Sequence, residues 1–153
     1  MLADTLLGSR RYTLDEAQDA HARLVALACV AAVEHGLDEV IFLRLVTVES
    51  SWNPNAENPV SGCLGLCQLN PRFYEGTRSE LLEPKRNLAL GAETLAANLK
   101  YWRGSYFLAL VTFNFGIGNV LDSIQEFGVN WHKELPDETW LYVYRILLRP
   151  REE

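Results

Sequence analysis

Nine residues, Val40-Ile-Phe-Leu-Arg-Leu-Val-Thr-Val48, form an almost unbroken apolar run that ends on a carboxylate, Glu49, and then on Ser-Ser-Trp-Asn-Pro54. Asp38 offers an N-cap acceptor before the run, and Pro54 forbids a simple continuation after it, so the pattern predicts a buried helix closing at Glu49. Glu49 would then stand half in the core and half in whatever cleft the next loop makes. Burial disfavours a carboxylate and raises its pKa, which suits an acid that must hold a proton near neutral pH. On the run alone the plainer explanation is favoured: a helix-end glutamate that reaches solvent or bonds nearby amides. The residues after Glu49 reverse that preference.

The chain has 153 residues, enough for one domain with one sizeable core. Its net charge of −6 excludes a nucleic-acid binder, because phosphate recognition needs clustered Lys and Arg, and Arg10-Arg11 and Lys85-Arg86 are isolated doublets. Cys29, Cys63 and Cys67 cannot all pair and match no zinc spacing. They are expected to be reduced thiols packed as small apolar side chains. His21, His35 and His132 are scattered with no HExxH-type spacing, so no metal is expected. Leu24–Val33 is too short to span a bilayer, and acidic residues interrupt its approach at helical spacing. It is expected to belong to an amphipathic core helix, with no stable membrane insertion and no export signal, in a protein made in the cytoplasm.

Helical periodicity dominates and no strand-like alternation persists. Thr13-Leu-Asp-Glu16 predicts a capping box opening a helix that runs to about His35, where Gly36 offers a left-handed stop. Residues 53–65, rich in Asn, Pro and Gly, are expected to be a loop, followed by a short helix around Leu66–Leu69. Further helices are expected from Pro84 to about Trp102, over Tyr106–Phe115, and over Asn119–Phe127. In the last helix Asp137 would cap, and Trp140, Val143, Tyr144 and Leu147 would face inward. The expected fold is a compact all-α single domain of about seven helices. Residues 1–36 would form a helical segment packed on a catalytic part, 37–153.

Four segments carry the chemistry: Glu49-Ser-Ser-Trp-Asn-Pro54, Ser61-Gly-Cys-Leu-Gly-Leu-Cys-Gln68-Leu-Asn-Pro71, Phe113-Asn-Phe-Gly-Ile-Gly-Asn-Val120, and Pro136-Asp-Glu-Thr-Trp-Leu-Tyr-Val143. In order and spacing they resemble the soluble lytic transglycosylase domain, whose fold is similar to goose-type lysozyme. The resemblance covers roughly residues 37–148. It implies a groove that binds peptidoglycan strands, with Glu49 as the catalytic residue. It also implies Ser50, Ser61, Gln68, Asn70, Phe113, Asn114 and Tyr142 as substrate-binding or cleft residues. Trp52, Phe73, Tyr74, Tyr101, Trp102, Tyr106 and Trp131 are candidates for aromatic walls, though each alone is more simply core. For Tyr142 a cleft role and a core role weigh equally, and Ser50 fits a helix hydroxyl bonding its own backbone at least as well.

Ordinary glycosidases use two carboxyl groups. The resemblance implies that one is enough here, in a lyase-type cleavage with no metal and no cofactor. Glu49 would protonate the oxygen between N-acetylmuramic acid and N-acetylglucosamine, then accept the proton of the muramyl C6 hydroxyl as that hydroxyl closes a 1,6-anhydro ring. Two other outcomes stay open: a hydrolase of the same fold using Glu57 or Glu138 as second acid, and an inactive glycan-binding or virion structural module. Three departures from the family pattern stand out. The usual Ala-Tyr-Asn is Thr112-Phe113-Asn114, which removes a tyrosine hydroxyl that Tyr142 or a water would have to replace. The usual Gly-Leu-Met-Gln is Gly65-Leu66-Cys67-Gln68. The loop between Asn55 and Gly62 is one residue longer, so a family serine corresponds to Asn58 or Ser61. Action on the periplasmic or extracellular wall without a visible signal fits a phage virion or lysis protein, in company with other virion or wall-machinery proteins, or a domain of a larger exported protein.

Overall fold

The computed structural model describes residues 5–7 and 10–148. Two three-residue strands, β1 (Thr5–Leu7) and β2 (Arg10–Tyr12), pair antiparallel with Leu6 opposite Arg11. They are too short for alternation to register in the sequence, and the rest of the described chain is helical or looped. Seven α-helices follow: α1 (Leu14–Glu34), α2 (Glu39–Ser50), α3 (Arg78–Leu82), α4 (Pro84–Tyr101), α5 (Tyr106–Phe115), α6 (Ile117–Phe127) and α7 (Asp137–Leu147). A 3-10 helix, Gly128–Glu134, joins the last two.

Local chemistry sets these boundaries. The Thr13–Glu16 capping box forms as expected, with Glu16 N–H donating to Thr13 Oγ1 (3.2 Å) and Thr13 N–H to Glu16 Oε2 (3.0 Å). At the other end of α1, Gly36 takes φ +67°, and Gly36 and Leu37 N–H donate to Val33 and Ala32 carbonyls, a Schellman stop. Asp38 Oδ1 accepts from Ile41 N–H at 3.0 Å and caps α2. The backbone N–H of Asp38 donates to the Tyr106 hydroxyl at 2.7 Å, tying the start of α2 to the start of α5.

α2 crosses the middle of the molecule and buries Phe42, Leu45 and Val46 completely. It packs between α1 and α7, while α4 packs on α1 and α5. α4 presents Asn87, Leu88, Gly91, Ala92 and Leu95 as one buried face.

Two expected elements change. The short helix around Leu66–Leu69 is instead a tight turn in which Leu64 and Leu69 exchange both backbone hydrogen bonds at 2.9 Å. Gly65 (φ +75°) and Gln68 (φ +51°) are both left-handed, which no α-helix accommodates. In α7 the inward face is rotated: Thr139, Tyr142, Val143 and Ile146 are buried, whereas Trp140 and Tyr144 are 39% and 51% exposed. Asp137 is the first helical residue rather than the cap, and no side chain caps α7. Apolarity alone misjudges this face because a polar residue, Thr139, is buried there with a hydrogen-bond partner, the part-buried Asn114. No single helix among the described residues is long and apolar enough to cross a membrane.

Candidate active site

Glu49 sits in the last turn of α2, half-buried, with the fully buried Leu45 and Val46 one turn before it. The helix ends at once. Ser51 and Trp52 take φ +50° and +64°, two consecutive non-glycine residues in the left-handed region, which is costly and characteristic of functional turns. Trp52 is held by its indole N–H, which donates to Thr47 Oγ1 at 2.9 Å, and by His21 of α1 edge-on to its ring at 5.3 Å. The abrupt turn leaves the Glu49 carboxyl at the helix end rather than under another helical turn.

Burial pushes the Glu49 pKa up to about 7, and Tyr142 works against that rise. Tyr142, on α7, is 5% exposed. Its hydroxyl lacks a partner in good hydrogen-bond geometry among the described residues. The Glu49 carboxyl nevertheless lies within its hydrogen-bonding and electrostatic reach, so the pair interacts at a looser geometry than a well-formed bond. The third member of this cluster is Cys67, fully buried in the 64–69 turn. Burial, and next the Glu49 charge, hold its thiol protonated.

Asn114, at the end of α5, accepts a hydrogen bond at 2.9 Å from the Thr139 hydroxyl, three residues before Tyr142 and on the same face of α7. One face of α7 therefore contacts both Asn114 and Glu49. Phe113 is half-buried and packs against the core. Beside it, Thr112 is buried and its hydroxyl accepts from the Trp102 indole N–H at 2.7 Å, so the polar atom added at this position is satisfied internally.

The remaining candidates are occupied locally. Ser50 Oγ donates to the Val46 carbonyl at 3.2 Å, an ordinary helix back-bond. Gln68 Nε2 donates to the Gly65 and Ala56 carbonyls (3.0 and 3.3 Å), fastening the turn to the preceding loop. Ser61 is exposed and its Oγ accepts from Cys63 N–H at 3.3 Å, while Asn70 Oδ1 accepts from Arg72 N–H at 3.0 Å. Glu57 is exposed and ion-paired with Arg78. Of the aromatic candidates, Phe73 is 79% and Tyr101 59% exposed, and the others are half-buried.

The chain matches the family model described as "Transglycosylase SLT domain" over residues 27–135. It belongs to that family. A membrane-bound lytic murein transglycosylase C of Mannheimia succiniciproducens is 27% identical over 147 residues, covering 82% of this chain and 40% of that protein. The lytic transglycosylase Slt of Pseudomonas aeruginosa has a similar fold (TM-score 0.68, 24% identity), over 79% of this chain and 22% of that one. So does the 70-kDa soluble lytic transglycosylase of Escherichia coli (TM-score 0.62, 20% identity), over 84% and 22%. The chain thus spans less than half the length of these relatives. Within this SLT domain, Glu49, Cys67 and Asn114 fall inside the matched residues, whereas Thr139 and Tyr142 lie beyond them and join the site through α7.

Sequence reasoning missed Asn87. It is fully buried on α4 and accepts from Cys67 N–H (2.8 Å) while donating to the Leu64 and Leu81 carbonyls (3.0 and 2.8 Å). The available signal was its position: an amide at the head of the buried 87-88-91-92-95 stripe must find partners. A separate apolar recess lined by Cys29, Val30, Val33, Glu34 and Glu39 lies at the opposite end of α2, about 15 Å along the helix from Glu49.

Proposed function

We propose that this chain cleaves the bond between N-acetylmuramic acid and N-acetylglucosamine in peptidoglycan and leaves a 1,6-anhydromuramyl end, with Glu49 as acid and then base. The observation that carries this is a half-buried carboxyl, pKa about 7, faced by Tyr142 and Cys67 rather than by a second carboxylate. At that pKa one group is protonated often enough to give a proton and ionised often enough to take one. Glu49 donates to the glycosidic oxygen as the bond to C1 breaks. The substrate's own N-acetyl carbonyl stabilises the charge developing at C1. Glu49 then removes the C6 hydroxyl proton as that oxygen attacks C1, so no water is consumed.

Asn114 and Gln68 supply amide hydrogen-bonding groups for the acetamido and hydroxyl groups of the strand, with Phe113 on the cleft wall and Ser50, Ser61 and Asn70 at its margins. Residues 1–36 and 37–153 act as one unit, supported by the packing of α1 on α2 and α4. Action is on the cell wall, reached from a phage virion, through phage lysis, or within a larger exported protein.

Hydrolysis by the same fold is the second possibility, with Glu57 or Glu138 placing a water. The Arg78 ion pair of the exposed Glu57 disfavours that role for it, and Glu138 is exposed in the first turn of α7. Mass spectrometry of digested glycan strands decides: anhydro ends are expected, and products heavier by one water would establish a hydrolase. Glu49→Gln with unchanged circular dichroism should abolish cleavage; retained cleavage would remove Glu49 from the chemistry.

A further inference from the structure

We propose that Asn87 is a positioning residue for Glu49, holding the 64–67 turn so that the Cys67 side chain stays packed beside the carboxyl. The proposal rests on the functional assignment of Glu49 above, but its geometry stands separately. The Asn87 amide uses three of its bonding positions on three backbone groups: Cys67 N–H, Leu64 C=O and Leu81 C=O. Two of these belong to the turn. A residue that only joined α3 to α4 would need the Leu81 bond alone.

The turn is fitted to Asn87 from the other side as well. A Cβ built on Gly65 would lie 2.3 Å from Asn87 Nδ2, so Gly65 is required both for its φ of +75° and for the closeness of that amide. Cys67 is seated by a second close approach on the same helix. A Cβ on Gly91, one turn after Asn87, would lie 2.4 Å from its Sγ. Asn87 holds the Cys67 backbone and Gly91 makes room for its sulfur, so Cys67 is seated completely buried, where it interacts electrostatically with Glu49 and Tyr142.

The groups that face Glu49 are therefore Tyr142 from α7 and Cys67 from the turn, and neither is charged at neutral pH. Cys67 contributes by excluding water. Since desolvation is the larger influence on Glu49, loosening the turn admits water and favours the ionised carboxyl.

The test follows the Glu49 side-chain carboxyl by carbon NMR across pH, with Glu49→Gln identifying its resonance. Asn87→Ser, in a protein whose spectrum remains dispersed, should lower the titration midpoint by about one pH unit, a tenfold loss of proton affinity. Adding Cys67→Ala should make the Asn87 effect largely disappear, because both act along one route. A midpoint within about 0.3 unit of wild type in folded Asn87→Ser would overturn the proposal and leave Asn87 a purely structural residue. Should Asn87→Ser not fold, Cys67→Ala alone decides, since it leaves the bonds of Asn87 to the turn in place: a lowered midpoint supports the route and an unmoved one overturns it. Absence of glycan cleavage by the wild type would refute the functional assignment without affecting this titration.

Discussion

Thr139 donates its hydroxyl hydrogen to Asn114 Oδ1 at 2.9 Å from a position only 2% exposed. This bond engages the Asn114 carbonyl and turns the amide so that its hydrogens point away from α7. Under the proposed function, the amide hydrogens left free by this bond are the ones that would donate to an acetamido or hydroxyl oxygen of the strand. Thr139→Val keeps the volume and removes the orienting donor. Stability should fall by about 1 kcal/mol, and KM for glycan strands should rise about fivefold with kcat nearly unchanged, because the loss is in binding. Thr139→Ser should restore most of the KM. Steady-state kinetics on defined strands with a melting curve for each variant checks this; an equal KM in wild type and Val would separate Thr139 from substrate binding.

Tyr142→Phe separates two roles of one hydroxyl. The group is buried without a well-formed bond, so its removal should leave the melting temperature unchanged or higher. Its interaction with Glu49 favours the ionised carboxyl, so without it the Glu49 pKa should move further up and the alkaline limb of the rate profile with it. Turnover should drop about tenfold, as the base step loses its partner. A variant with an unaltered pH profile would show that Tyr142 is only core.

Much of this arrangement was legible in the sequence, and the exceptions have a common cause. The Thr13 box, the Gly36 stop, the Asp38 cap and α5 depend on neighbouring residues, and they form as the local pattern requires. The apolar run alone left Glu49 an ordinary helix-end carboxylate, and only the order and spacing of the segments after it single it out as the candidate acid. The 64–69 turn and the inward face of α7 were misjudged because both depend on distant polar partners. Asn87 fixes the first from α4, and Asn114 accepts the second from Thr139. Backbone conformation forced by such contacts, as at Gln68, leaves no trace in hydrophobic periodicity.

Glu49 should also mark the pH dependence of stability. Burial raises its folded pKa from the ordinary 4.5 to about 7, so the folded state binds a proton that the unfolded chain has already released. The benefit of the protonated carboxyl is fully present below about pH 4.5 and is lost as pH rises through about 7, a change of about 3 kcal/mol. Glu49→Gln removes the titration. Urea unfolding should give the variant a gain of that order over wild type at pH 8 and little gain at pH 4.5. An equal difference at both pH values would mean that Glu49 is as well solvated in the folded protein as in the unfolded one.

Under the proposed function, residue 113 is the position that tests how far Tyr142 serves alone. The resemblance expects a tyrosine here, and in this chain the Phe113 ring is half-buried against the core, its chain neighbours Thr112 and Asn114 being bonded to Trp102 and Thr139. Both neighbours are fixed by bonds that a para-hydroxyl on residue 113 would not break. Phe113→Tyr should therefore keep the melting temperature within about 2 °C, less than 1 kcal/mol for a domain of this size. A second hydroxyl at the Glu49 carboxylate would stabilise its ionised form, lowering the alkaline limb of the pH profile and raising turnover. Unfolding of the variant would mean that the ring edge is closed in by core side chains. A folded variant with unchanged turnover and profile would mean that position 113 does not face Glu49 and that Tyr142 alone supplies the hydroxyl.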